Sequence, residues 1–232
     1  NDTVDLTPYM PERSGYAFTG WYGDAALTQR VTAIRVTGPM TVYAGWTERP
    51  LPFTDVDGDD WFCDDVRYVY ENGLMNGVAE GLFGPRLDTT RGMIVTILWR
   101  LEMEPAAGAC PFEDVAAGSY YETAIAWAAE NGIVDGYSDA RFGPDDAITR
   151  EQLAAILWRY ARYKGCETDA AGDLDAFQDA ESISAYARAA MEWAVGSGLM
   201  NGRSADLLQP QGTAIRAEVA AMLHRFIESP LQ

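Results

Sequence analysis

The chain is short of lysine, histidine and cysteine, and it has no long apolar run. Of 17 basic residues only Lys164 is a lysine, and His224 is the sole histidine. One imidazole leaves no room for a Ser-His-Asp or Cys-His set. His224 falls in the helix column of Trp99 and Trp158 and reads as a packing residue rather than a general base. Three cysteines, Cys63, Cys110 and Cys166, leave at least one unpaired and show neither C-x-x-C spacing nor neighbouring histidines for zinc. Three separate thiols are the favoured reading, with a Cys110–Cys166 disulfide as the alternative. No stretch approaches the roughly 18 to 20 apolar residues of a membrane helix, the best candidate, Met93 to Trp99, being interrupted by Thr96. A membrane span is therefore not expected. Nothing at Asn1 resembles a charged and then apolar export signal, so any such signal is expected upstream.

What is abundant is acid. Thirty-five Asp and Glu against 17 Lys and Arg give a net charge of −18 over 232 residues, a field that repels nucleic acid. A hydrophobic content of 48% nonetheless suits a packed globular protein. The arginine bias favours planar, bidentate recognition over loose solubilising charge. The run Asp55 to Asp60 suggests a calcium loop, but an EF-hand needs Gly and an acid where Asp60 and Val66 stand. No metal, cofactor or catalytic pair is singled out, and an enzyme is not expected.

The chain also repeats itself. Phe53-Thr-Asp55-Val56 returns as Phe112-Glu-Asp114-Val115 and Phe177-Gln-Asp179-Ala180. The loop Asn72 to Gly77 returns as Asn131 to Gly136 and Ser197 to Gly202. Gly73, Gly132 and Gly198 stand 59 and 66 residues apart, as do Arg91, Arg150 and Arg216. Three units follow, at residues 51–108, 109–170 and 171–232. Each reads as helix, loop, helix: the stripes Ile94, Ile97, Leu98, Leu101; Leu153, Ile156, Leu157, Tyr160; and Val219, Met222, Leu223, Phe226 have helical spacing. An earlier helix, such as Thr123–Asn131 or Tyr186–Val195, is expected to end at the glycine. Phe83-Gly-Pro85, Phe142-Gly-Pro144 and Leu208-Gln-Pro210 break the helix between, and their first residue can plug the gap below. A unit of about 60 residues has little core of its own, so the stripes are expected to pack together.

Residues 1–50 differ. Ser14 to Tyr22 and Met40 to Trp46 alternate small or polar residues with aromatics, a strand signal, and Glu48 to Pro52 makes a stiff junction.

The three units resemble S-layer homology domains, whose pattern is F-x-D-V, an aromatic some eight residues on, G-(I/L)-(I/V/M)-x-G, F-x-P and a T-R-x-E helix start. The second matches most fully, with Phe112, Asp114, Val115, Tyr120, Gly132 to Gly136, Phe142, Pro144, Thr149, Arg150 and Glu151 in order. Gly15 to Trp46 is similar to the closing part of internalin B-repeat modules, the Listeria-Bacteroides repeat, with the usual first strand cut away or altered within residues 1–10. The resemblance implies a mainly α fold: three repeats forming a monomeric pseudo-trimer around a central helical bundle, behind a small β module. It implies a bacterial cell-surface protein that binds a secondary cell-wall polysaccharide, carrying a pyruvylated amino sugar, in grooves between repeats. The ligand-binding residues carried over are Arg91, Arg150 and Arg216, Thr90 and Thr149, the groove aromatics Trp61, Tyr120 and Tyr186, and Gly77 and Gly136. An adhesin using the β module, with the helical repeats as scaffold, is the alternative.

On physical grounds, an Arg in the first turn of a helix sits at the wrong end of the dipole. Together with open N–H groups at that helix start, its fork would hold a carboxylate while an aromatic takes the sugar face. The competing reading is that each Arg pairs with Asp55, Asp114 or Asp179 and only shapes its unit. Thr149 with Gln152 can form a capping box, Thr90 can cap alone and Ile215 cannot cap. A frayed third helix start would make Arg216 the weakest ligand contact and Arg150 the strongest.

Overall fold

The structure, a computed structural model, describes residues 2–13 and 15–228. They divide into two compact units, the first running to Phe53 and the second starting at Thr54.

In the first unit, strand β1 (Asp2–Asp5) pairs antiparallel with β4 (Ala33–Val36), and β2 (Tyr16–Tyr22) lies between β3 (Arg30–Val31) and β5 (Tyr43–Glu48). The two strands expected from the aromatic alternation are thus β2 and β5. β1 lies where the opening strand was expected to be lost, and Val4 faces Ile34 across the pair, a β-branched match that favours the ladder. Phe18 meets Trp21 and Trp46 edge-on, each at 5.5 Å between ring centroids.

Among the described residues the second unit holds six α-helices, two per repeat: α1 (Cys63–Glu71), α2 (Arg91–Leu101), α3 (Glu122–Glu130), α4 (Arg150–Tyr163), α5 (Arg188–Gly196) and α6 (Arg216–Glu228). The first helix of each repeat stops just before Gly73, Gly132 or Gly198, whose φ angles of 68°, 66° and 72° lie in the left-handed region where a Cβ is disfavoured. The apolar stripes of α2, α4 and α6 are buried except for Leu101, which is half-buried. None of the helices among the described residues is long and apolar enough to cross a membrane.

The expected fold class needs correction. Helix makes up 31% of the structure and strand 15%, which is mixed rather than mainly α. The helix contacts do not by themselves show a pseudo-trimer around a central bundle either. The close contacts are three pairs, α2 with α3, α4 with α5 and α6 with α1, each joining the second helix of one repeat to the first helix of another. Helix length explains the difference. Helices of 9 to 14 residues leave most of each repeat as loop, and the loops carry much of the bonding between repeats.

Part of that bonding is a ring of three hydrogen bonds. The Thr89 N–H donates to the Ala214 carbonyl at 3.0 Å, the Ala214 N–H to Ile148 at 2.8 Å, and the Ile148 N–H to Thr89 at 2.8 Å. Ile148 and Ala214 put only apolar atoms there, whereas the Thr89 hydroxyl is buried with no partner among the described residues. An unbonded buried hydroxyl costs roughly 1 to 3 kcal/mol. Thr89→Val keeps the shape and the backbone bonds, so it should stabilise the protein by about 1 kcal/mol, a rise of roughly 2 to 4 °C in Tm. A lowered Tm in a calorimetric scan would refute this.

All three cysteines are free, Cys63 buried and Cys110 and Cys166 half-buried. His224 does pack: its ring stacks on Tyr68 at 4.1 Å, with Nδ1 2.7 Å from Asp65 and Nε2 3.2 Å from Glu228.

Candidate functional site: grooves between repeats

The Phe-Gly-Pro loop is fixed from two sides. Within its own repeat, Asp114 accepts the Phe142 and Gly143 N–H groups at 2.8 and 2.7 Å. Asp55 does the same for Phe83 and Gly84, both at 2.8 Å, and Asp179 for Leu208 and Gln209 at 2.9 and 2.7 Å. Burial pushes the Asp114 carboxyl up, but the two N–H donors outweigh it and hold it below the usual range. Phe83, Phe142 and Leu208 are fully buried plugs. These aspartates therefore cap a loop instead of pairing with the motif arginines.

The arginines take the carbonyl side of the same loops, each in another repeat. Arg91 donates from Nε to Phe142 O at 3.0 Å and from Nη2 to Asp135 O at 2.9 Å. Arg150 donates likewise to Leu208 O and Asn201 O at 2.8 and 2.6 Å, and Arg216 to Phe83 O and Asn76 O at 2.9 and 2.6 Å. Repeat 1 thus grips repeat 2, repeat 2 grips repeat 3, and repeat 3 returns to repeat 1. The three side chains are buried. Stacking on Phe142, 4.5 Å from the Arg91 guanidinium carbon, and on Phe83, 4.6 Å from that of Arg216, offsets part of the lost hydration.

The expected open helix starts are absent. The Arg150 and Glu151 N–H groups donate to Gly212 O and Pro210 O at 2.9 and 3.0 Å. Those of Arg91 and Gly92 reach Asp146 and Pro144, and those of Arg216 and Ala217 reach Leu87 and Pro85. A ligand carboxylate would find the first two amides of each helix engaged. Thr149 forms its capping box with Gln152, and Thr90 caps Met93 at 3.3 Å. Ile215 has no cap to offer, yet its own N–H donates to Glu218 Oε2 at 3.1 Å. The start of α6 is therefore held, and the reason to rank Arg216 last disappears.

Grooves open beside two of these arginines, Arg91 and Arg150. The first, about 270 Å³, is lined by Arg91 of repeat 1, Asp135 to Tyr137, Gln152, Ala155, Ile156 and Arg159 of repeat 2, and Tyr186 of repeat 3. The second, about 340 Å³, joins Arg150 of repeat 2, Met200 to Arg203, Glu218 and Arg225 of repeat 3, and Trp61 of repeat 1. Tyr186 and Trp61 thus each come from the one repeat that supplies neither the motif arginine nor the wall of the groove they line. Trp61, Tyr120 and Tyr186 are 62%, 57% and 55% exposed, so their faces are open to a ligand. Tyr120 lies near Thr90 and Arg100. Tyr186 donates to Glu151 at 3.1 Å, and the buried Glu151 carboxylate also accepts the Ser184 N–H and hydroxyl. Gly136 lines the first groove because nothing larger fits: a Cβ there would meet the Phe112 ring at 2.5 Å and the Arg141 carbonyl at 2.6 Å. Gly77 is exposed beside Asn76.

Arg159, Arg203, Arg225 and Glu218 were missed as groove residues. Arg100, Arg159 and Arg225 each lie nine residues after a motif arginine, a second repeating column that could have found two of them. Arg159 pairs with Asp135 at 2.7 Å at the rim.

Sequence comparison matches residues 52–92, 111–154 and 176–220 to the S-layer homology domain, and residues 1–45 to the Listeria-Bacteroides repeat domain. The chain is 34% identical to a surface-layer 125 kDa protein of Lysinibacillus sphaericus over 71% of its own length and 14% of that protein. It is 31% identical to an endoglucanase of Bacillus sp. (strain KSM-635) over 75% of this chain and 18% of the enzyme. A cellulosome-anchoring protein of Acetivibrio thermocellus is 27% identical over 67% of this chain and 35% of that protein. The chain thus spans a minor part of each of these relatives.

Proposed function

Because the chain belongs to the S-layer homology family, with three such domains behind a Listeria-Bacteroides repeat in a cell-surface protein, we propose that it anchors that protein to the bacterial wall. It does so by binding a secondary cell-wall polysaccharide that carries a pyruvylated amino sugar, in the grooves between repeats, and it performs no catalysis of its own. The observation that carries this reading is the pairing of a buried guanidinium with an exposed aromatic from another repeat, Arg91 with Tyr186 and Arg150 with Trp61. In a chain of net charge −18, concentrated arginine in two grooves selects for a negatively charged ligand that also has an apolar face. Relatives named for surface layers and cellulosome anchoring support attachment. The endoglucanase shares only 18% of its length with this chain, and the one imidazole is occupied in packing against Tyr68.

Co-sedimentation with purified wall tests the reading. The protein should pellet with wall that carries pyruvylated polymer and stay in solution when the pyruvyl groups have been removed. Trp61→Ala and Tyr186→Ala should each weaken binding by about 1 kcal/mol, roughly five-fold, through lost stacking. Equal sedimentation with wall stripped of polymer would overturn the proposal.

A further inference from the structure

Four Asn-Gly steps lie at or shortly after the ends of α1, α3 and α5: Asn72-Gly73, Asn76-Gly77, Asn131-Gly132 and Asn201-Gly202. A glycine that follows an asparagine has no Cβ to shield its backbone nitrogen, so that nitrogen can attack the asparagine amide carbon. All four asparagines are exposed, but their bonding divides them two and two. Asn72 and Asn131 cap α1 and α3, and their Nδ2 groups donate to Tyr68 O at 2.9 Å and Trp127 O at 2.8 Å. The Gly73 and Gly132 N–H groups donate to Tyr70 O at 3.0 Å and Ala129 O at 3.1 Å. Leaving group and attacking nitrogen are both tied.

Asn76 and Asn201 carry neither restraint. Among the described residues nothing bonds their side-chain amides or the N–H groups of Gly77 and Gly202. Their carbonyls alone are engaged, Asn76 O by Arg216 Nη2 and Asn201 O by Arg150 Nη2, each at 2.6 Å. That contact aids the reaction. When the glycine nitrogen loses its proton, negative charge spreads onto the carbonyl oxygen of the same peptide unit, and a guanidinium already in place there stabilises it.

We propose that Asn76 and Asn201 are sites of spontaneous deamidation and that Asn72 and Asn131 are not, so that each modification adds one negative charge beside a motif arginine. The co-reactant is water. The glycine nitrogen bonds to the asparagine Cγ, the Cγ–Nδ2 bond breaks, and ammonia leaves with the proton that the glycine nitrogen gave up, closing a succinimide ring. Water then opens the ring at Cγ to give aspartate or at the backbone carbonyl to give isoaspartate, and the new carboxyl releases its proton. Repeat 2 encodes the product outright: Asp135 holds the corresponding position, with its carboxylate 2.7 Å from Arg159. Arg225 stands as far along the chain from Asn201 as Arg159 does from Asp135, and both Asn201 and Arg225 line the Arg150 groove. An aspartate side chain at position 201 therefore pairs with Arg225. The inference goes beyond the wall-binding reading and does not depend on it.

The test holds the whole chain in mildly alkaline buffer, digests samples over time and follows the amide-to-acid mass gain of each Asn-Gly peptide by mass spectrometry. Asn76 and Asn201 should convert roughly ten-fold faster than Asn72 and Asn131, whose two hydrogen bonds must open first. In urea the four rates should converge, because the reacting dipeptide is the same. Asn201→Gln would have to close a larger ring, so it should lack one of the acidic forms that ion exchange resolves. Equal rates at the four sites in the folded protein, or an unchanged ranking in urea, would overturn the proposal. Asn201→Asp should also raise Tm by about 1 to 2 °C, and Arg225→Gln should abolish that rise. A rise that is absent, or that survives Arg225→Gln, overturns the pairing with Arg225.

Discussion

Arg150→Ala should destabilise the protein by about 3 to 5 kcal/mol, measured by urea unfolding. The substitution removes three donors at once: those to Leu208 O and Asn201 O, and the one to Glu218. Breaking one side of a buried ion pair typically costs about 3 to 5 kcal/mol because the other charge is stranded. Glu218 keeps Arg203, which eases that term, but the buried Leu208 carbonyl loses its partner at roughly 1 to 3 kcal/mol, and the part-buried Asn201 carbonyl loses one as well. The geometry makes this arginine a structural joint as well as a groove residue. It joins repeat 2 to repeat 3 before it meets any ligand. A variant that unfolds within 1 kcal/mol of the unaltered protein would show that the inter-repeat bonds carry little. Arg150→Lys should recover only part of the loss, since an ammonium lacks the fork that reaches two carbonyls and a carboxylate together.

Asp114→Ala comes next, at about 3 kcal/mol. Its carboxylate accepts two N–H groups of the Phe142 loop, and hydrogen bonds to a charged group are worth about 1.5 to 3 kcal/mol each. Losing them frees the loop whose carbonyl holds Arg91, so repeat 1 should loosen from repeat 2. Asp114→Asn should fall between, because an amide oxygen can accept from one N–H but its NH2 faces the other. The pH dependence has a definite sign. The folded carboxyl sits below its unfolded value of about 3.9. Its contribution is complete above that value and is lost as pH falls through the depressed folded pKa. Stability of the unaltered protein should therefore drop below about pH 4, and Asp114→Asn should flatten that part of the curve. An unchanged acid limb would assign the loss to other carboxylates.

Much of the architecture is legible along the chain itself. The recurrence of Phe-x-Asp-Val, the glycine that ends each first helix and the apolar stripes are all local patterns, and local patterns follow from backbone propensity and hydrophobic periodicity. Exposure of Trp61, Tyr120 and Tyr186 is likewise anticipated by their recurrence outside the stripes. The strand β1 is not, because Asp2 to Asp5 is four residues long and takes its stability from pairing with β4, a partner that periodicity within a segment does not reveal.

The partners of the charged groups are the least legible. Asp114 and Arg91 both look like halves of an ion pair in the sequence. Each instead satisfies the backbone of one loop, from opposite sides and from different repeats. The helix starts look open because the carbonyls that fill them lie about 50 to 130 residues away. By itself the sequence determined how many repeats there are, where their helices stop and which aromatics and arginines recur. Only the tertiary structure decided that the Arg91 and Arg150 grooves are each assembled from three repeats, and that Glu218 pairs with one guanidinium while Arg91 has no such partner among the described residues. The reason is physical: helix ends and apolar faces are set by neighbours within a few residues, whereas a counter-ion is set by distance in space, which no spacing along the chain encodes.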